Sequence, residues 1–396
     1  MTQGTILPWN ILREVLLFLP LIIVIWQDRG RKLSTLPGRV AIIILLCFSI
    51  VQAIRAPTIV SGIYGARAQL HFIALYIFGY LWRVDVVYLR RLIWISTLSL
   101  LGVIVGIIYS NLVSASVYES SEYIKWATAV YGKEHIIGIS YPSCAVVLVV
   151  LGGLSGALFL WGKGKIHRLG LIFFGGCLLG SILTINRGGI LGFMMSFIFT
   201  MLITWRLFKR SKVFTSRVAL ASVAIIIILI VASFEMPGYY KWALTTFDAW
   251  KRARVAGPEA VRNASLQQIL FGDGIGVWGG RGYTKYSQGV FESKWVDNVY
   301  VELLLCGGIF LPFLHLCVIL TICKRLIQRS TILRSNGVID CLDGGLVSSV
   351  LGLWCVILLI AWGGPGWFDY PGAMFIWLFS GITLRRLEKV VAFKST

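Results

Sequence analysis

The chain has 396 residues, of which 57% are hydrophobic and 14% charged, with a mean hydropathy of +0.82. A soluble chain of this length needs far more polar surface to cover its core, so composition excludes an ordinary soluble globular class and length counts membrane spans. The 37 Lys and Arg against 17 Asp and Glu leave a net charge of +20, which in so apolar a chain reads first as a positive-inside bias and not as a nucleic-acid surface.

Apolar runs of about 18 or more residues are span candidates, and about eleven occur. In chain order they are 7–26, 40–56, 68–83, 92–112, 138–161, 169–185, 188–206, 218–234, 298–323, 345–362 and 372–387. No cleavable signal is evident, because Arg13 and Glu14 precede an apolar run without a small-residue cleavage site. The pattern divides the chain into residues 1–234 with eight spans, a polar loop 235–297, and residues 298–396 with three spans and a tail. The expected fold is all-α, a polytopic bundle of about 11–12 transmembrane helices with one large outer loop.

Alternate loops differ in charge. One set, including Arg83, Lys163, Arg168, Arg206, Arg217, Arg325, Arg334 and Arg386, holds 23 Lys and Arg. The opposite short segments hold 6, and loop 235–297 holds the remaining 8 of the 37. The positive-inside rule therefore puts the C-terminus in the cytoplasm; an odd span count puts the N-terminus outside, and a missed or split helix would move it inside. The eight Cys lie mostly in apolar runs without metal-ligand spacing and read as small hydrophobes.

Two outer segments are long enough to carry function. Segment 113–137 contains Glu122, Trp126, Lys133, Glu134 and His135. Loop 235–297 is larger, and its stretch 259–271 reads as one amphipathic helix with Ala260, Val261, Ala264, Leu266, Ile269 and Leu270 on a broad face.

Four motifs stand out. Thr184-Ile185-Asn186-Arg187-Gly188-Gly189 separates two apolar runs with almost no loop. Arg187 there is either a headgroup-facing turn residue or a guanidinium held at the bundle mouth to grip an anion. Arg252, Arg254 and Arg262 lie on the outer side, where they contact lipid phosphates in general or one lipid-linked phosphate in particular. Phe271-Gly272-Asp273-Gly274-Ile275-Gly276 lets the backbone approach a ligand or another helix closely; without a surrounding βαβ unit it is no dinucleotide fingerprint. Trp295-Val296-Asp297-Asn298 opens a span. Asp297 and Asn298 suit an N-cap, while Asn298 and Glu302 at helical spacing suit a polar pocket in which a carboxylate orients a sugar hydroxyl. No carboxylate pair has metal-site spacing on the outer side, so no required metal and no cofactor is expected.

In this order these motifs resemble those of the Wzy-type polysaccharide polymerases and the related O-antigen ligases, over roughly residues 170–310. The pattern there is an Arg junction between mid-chain helices, a large periplasmic loop with Arg, a Phe-Gly-x-Gly-x-Gly turn, and an Asn-x-Tyr helix start followed by Gly. The ligases usually carry His before that Asn, where this chain has Asp297, which favours the polymerases. The resemblance implies a GT-C-like, metal-independent glycosyltransferase of the bacterial inner membrane, with its active site facing the periplasm. Its substrates would be undecaprenyl-diphosphate-linked oligosaccharides. Its partners would be membrane lipids, a chain-length regulator and a flippase, with no nucleic acid.

On that reading Arg187 and Arg254 hold the pyrophosphates, with Arg262 and Arg281 as second choices, and Asp297 attends the acceptor. Asn298, Glu302, Gly272, Gly274 and Gly276 line the substrate site, and Trp250, Trp278, Tyr283 and Trp295 form a carbohydrate platform. A ligase transferring glycan to lipid A core and a lipid-linked oligosaccharide flippase are the alternatives. A flippase should show broken midplane helices and internal repeats, and no repeat appears.

Overall fold

A computed structural model describes residues 19, 21–27, 31–82, 95, 102, 105, 142–183, 187–207, 216–219, 222–223, 258–279, 294–295, 298–335, 341–361 and 372–395. Among the described residues the fold is all-α apart from one minimal strand pair. The helices are α1 (Arg39–Ile54), α2 (Ile59–Leu81), α3 (Pro142–Trp161), α4 (Lys165–Leu183), α5 (Arg187–Leu207), α6 (Leu266–Phe271), α7 (Val299–Gly307), α8 (Phe310–Ser335), α9 (Cys341–Ile360) and α10 (Gly372–Ser395). The strands are β1 (Trp278–Gly279) and β2 (Lys294–Trp295), paired in parallel.

Helices α8 and α9 contain segments long and apolar enough to cross a membrane, Phe310–Ser335 and Leu342–Ile360. Arg39–Ile54 is apolar but shorter. The outward faces are apolar too: Ile43, Ile44, Ile50 and Val51 on α1 and Phe310, Phe313 and Leu320 on α8 are exposed. Contiguous apolar surface of this kind marks contact with something other than water.

The core is where α9 meets α3, α5 and α10. Trp354 of α9 meets Trp377 of α10 edge to face at 4.9 Å, and its indole N–H donates to Ser380 Oγ at 2.9 Å. Small residues set the closest crossings. A Cβ on Gly381 of α10 would lie 2.6 Å from Tyr80 N of α2, and one on Gly352 of α9 would lie 2.6 Å from Thr200 Oγ1 of α5. These backbones are near enough that dispersion replaces side-chain interdigitation.

Helix ends sort onto two faces. At one, the Tyr300 hydroxyl of α7 donates to Leu358 O near the end of α9 at 2.7 Å, and Gly192 of α5 packs on Ile360 and Val149. That end holds the starts of α3, α5 and α7. At the other, basic end, Arg386 of α10 meets Asp343 of α9 at 2.6 Å, with both side chains nearly inaccessible. Arg334 of α8 donates to Arg206 O at the end of α5 at 3.0 Å. Arg217 donates to Phe159 O, Leu160 O and Gly162 O at the end of α3, at 3.2, 2.9 and 2.9 Å. Three helix-terminal carbonyls thereby find the cation that their dipole favours.

The single span expected over 298–323 is two helices. Gly307 ends α7, Gly308 takes φ +66°, and Phe310 starts α8. A hydropathy window cannot see this break, because the residues on both sides are apolar.

Candidate functional site

The glycine turn is preceded by a helix start signal written locally. Ser265 caps α6: its Oγ accepts from Gln268 N–H at 3.2 Å while Gln268 Oε1 accepts from Ser265 N–H at 2.8 Å. This reciprocal capping box divides the helix expected over 259–271. Residues 258–262 are helical, Asn263 and Ala264 turn, and α6 starts afresh. The apolar side chains of α6 are not folded inward, since Leu266, Leu270 and Phe271 are exposed.

Beyond α6 the chain folds back on itself through Asp273. Its carboxylate accepts from Gln268 Nε2 at 3.0 and 3.2 Å and from the Trp278 indole N–H at 2.8 Å. Two donor groups on one carboxylate fix the turn from both sides, Gln268 from α6 and Trp278 from β1.

The turn is then seated on helix ends. The last carbonyls of α7 have no partner within their own helix. Leu305 O accepts from Asp273 N–H at 2.8 Å, and Cys306 O from Gly274 N–H at 2.9 Å. Ile309 N–H, just past the break, donates back to Ile269 O at 3.0 Å. From α1, Gln52 O accepts from Ile275 N–H at 3.2 Å and Gln52 Nε2 donates to Phe271 O at 3.0 Å. Arg55 adds Nη1 to Phe271 O at 2.7 Å and Nη2 to Gly272 O at 3.2 Å.

Gly272 takes φ +71°, and a Cβ there would lie 2.5 Å from Gly307 N, so both backbone angle and space require glycine. A Cβ on Gly274 would lie 2.8 Å from Ala56 Cα. Gly276 N is itself within 2.6 Å of where a Cβ on Gly65 of α2 would stand. Of the two uses open to this motif, the structure shows close approach to helices α1, α2 and α7. Ile275, fully buried, is its anchor.

Asn298 is the N-cap of α7, with Oδ1 accepting from Tyr300 N–H at 2.9 Å and Val301 N–H at 3.2 Å. Glu302 lies half-buried in the first turn of α7, where the helix dipole favours a carboxylate. Arg262 is exposed and closes the helical stretch before α6. The backbone of Arg187 opens α5 at this same end of the bundle. The backbone of Trp295 pairs with Gly279, which draws β2 beside the glycine turn. Asp297, Arg254, Arg281, Trp250 and Tyr283 lie outside the described residues. Trp278 is placed at the turn, half-buried, with its indole committed to Asp273.

Three residues that organise this end were given no role from the sequence, Gln52, Arg55 and Gln268, and Asp273 was singled out only as part of the glycine motif. The Ser265-x-x-Gln268 pattern carried a local signal for one of them. The contacts of Gln52 and Arg55 join α1 to a segment more than two hundred residues later, and no local signal encodes that. Among the described residues no group of three or more His, Cys, Asp or Glu side chains could hold a metal ion. The chain matches no protein-family model and no curated protein.

Proposed function

We propose that the chain is a polytopic protein of a bacterial inner membrane that polymerises polysaccharide at the periplasmic face. The growing glycan is the donor, carried on undecaprenyl diphosphate, and the next lipid-linked repeat unit is the acceptor. The acceptor hydroxyl oxygen attacks the anomeric carbon of the donor. The bond from that carbon to the diphosphate oxygen breaks, and undecaprenyl diphosphate leaves with the electron pair. The hydroxyl proton passes to Asp297 or to solvent.

One observation carries this reading. Elements bearing the four motifs meet at one end of the bundle: the start of α5 at Arg187, the glycine turn, the start of α7 at Asn298, and the chain leading from Arg262 into α6. The opposite end gathers Arg206, Arg217, Arg325, Arg329, Arg334, Arg385 and Arg386, as a cytoplasmic face would. The apolar outward faces of α1 and α8 suit lipid, and the exposed Leu266, Leu270 and Phe271 of α6 suit the bilayer interface.

The chemistry then divides by residue. Arg187 and Arg254, with Arg262 and Arg281, stabilise the departing diphosphate through guanidinium forks that match its oxygens and stay charged throughout. Two lipid anchors held at one rim supply proximity. The glycine turn, seated on α1, α2 and the end of α7, anchors residues 271–276 at this end of the bundle.

The test is reconstitution of the purified chain with a defined undecaprenyl-diphosphate-linked repeat unit, read on gels. Wild type should yield a ladder, and Arg187→Ala should yield single repeats at unchanged protein abundance. Normal ladders from Arg187→Ala would defeat the assignment of that residue. No ladder from wild type, or placement of residues 235–297 on the cytosolic side by labelling, would defeat the function.

A further inference from the structure

Among the described residues the basic end carries more cation than its neighbouring carboxylates answer. Asp343 is occupied by Arg386 at 2.6 Å. Glu388 of α10 accepts from Arg325 Nε of α8 at 3.4 Å and from the Tyr80 hydroxyl of α2. Arg385 lies over the Tyr80 ring, its Cζ 5.8 Å from the centroid. Arg329 stands one helical turn beyond Arg325, on the same face of α8. At the seam of α8 and α10, Arg325 meets Glu388, while Arg329 follows one turn along α8 and Arg385 precedes Glu388 by one turn along α10.

Two of those guanidiniums are incompletely satisfied. The Nε atoms of Arg329 and Arg385 are both buried, and neither has a hydrogen-bond acceptor among the described residues. A buried N–H on a charged group without an acceptor is costly, and such groups in native proteins meet an ion, water or partner. A neutral acceptor supplies a hydrogen bond but leaves the charge. A phosphate group supplies several acceptor oxygens and the opposite charge, and its geometry fits the guanidinium fork.

We infer that Arg325, Arg329 and Arg385 form a binding site for a phosphate group at the basic end, remote from the glycine turn. Two sources share this chemistry, an anionic phospholipid headgroup and free phosphate. The site does not depend on the glycosyl-transfer reading, because occupancy is read without any sugar substrate.

The experiment uses the purified full chain in neutral detergent, titrated separately with phosphatidylglycerol, phosphatidylcholine and inorganic phosphate. Thermal unfolding and native mass spectrometry report occupancy. Phosphatidylglycerol should raise the unfolding midpoint and remain bound, and phosphatidylcholine should do neither. A rise with inorganic phosphate alone assigns the site to a soluble anion, and a rise confined to phosphatidylglycerol assigns it to lipid. The double variant R329Q/R385Q should weaken half-saturation by roughly tenfold or more, as lost charge-assisted hydrogen bonds imply. Without anion it should unfold no earlier than wild type, since buried unpaired charges have been removed. The single variant R329Q carries the same expectation should the double variant not fold. The inference is overturned if wild type responds to neither anion, if the variants keep the full response, or if they are destabilised equally with and without anion.

Discussion

The two ends of the bundle are locked by different chemistry. At the turn end the bonds run mostly from backbone to backbone: Asp273 and Gly274 N–H to the last carbonyls of α7, and Ile275 N–H to Gln52 O. At the basic end they run between charged side chains and helix-terminal carbonyls, as with Arg386 and Asp343 or Arg217 and the end of α3. The contrast is one of degree, since Arg55 also donates to Phe271 O and Gly272 O at the turn end, but there glycine does much of what guanidinium does at the other. A backbone latch needs absent side chains, so it is set by Gly272, Gly274 and Gly308. An ionic latch needs present ones.

The contrast can be broken at its strongest point first. Asp343→Ala strands the buried Arg386 guanidinium and should cost about 3–5 kcal/mol of stability, visible as a lower unfolding midpoint of the purified protein. Removing both partners should recover part of that loss. At the turn end, Gly308→Ala forces a side chain onto φ +66° and drives its Cβ into the Leu270 carbonyl. The expected loss is about 2–3 kcal/mol, checked by the same unfolding measurement together with protease sensitivity near residues 264–272. An unchanged midpoint would mean that the break between α7 and α8 is not required.

Smaller effects sharpen the comparison. Asp273→Ala leaves Gln268 Nε2 and the Trp278 indole without their acceptor and should cost about 1–3 kcal/mol. Its test is the Trp278 environment, followed by fluorescence in a variant retaining that tryptophan as reporter; no change there would remove Asp273 from the latch. Ser265→Ala loses one half of the capping box and should cost about 1 kcal/mol. Restoration by Ser265→Thr would show that the cap, and not the residue, is what matters.

Much of the helical content was readable from apolar runs. The starts and ends of α1, α3 and α9 fall within a few residues of the hydropathy windows, because each run is bounded by Arg, Pro or polar residues. Asn298 was readable as a cap for the same local reason. The break at Gly308 was not, because its cause lies in residues 269–274, which supply the bonds that the broken helix gives up. Helix α2 starts nine residues before the expected 68, at Ile59, because Thr58 caps it through a bond from Ser61 N–H at 3.1 Å. Hydropathy reports where a helix can sit in lipid, and caps report where it begins. The contacts of Arg55 were beyond any local rule.

The seat of the glycine turn also bears on the order in which the molecule is assembled. Ribosomes deliver α1 first, then the segment 265–276, and only afterwards α7. Of the helices that seat the turn, α1 and α2 are therefore made before it, and α7 follows. The open carbonyls of Leu305 and Cys306 meet waiting donors as soon as α7 emerges, so the weakest stretch of that helix never has to wait for a partner still to be synthesised.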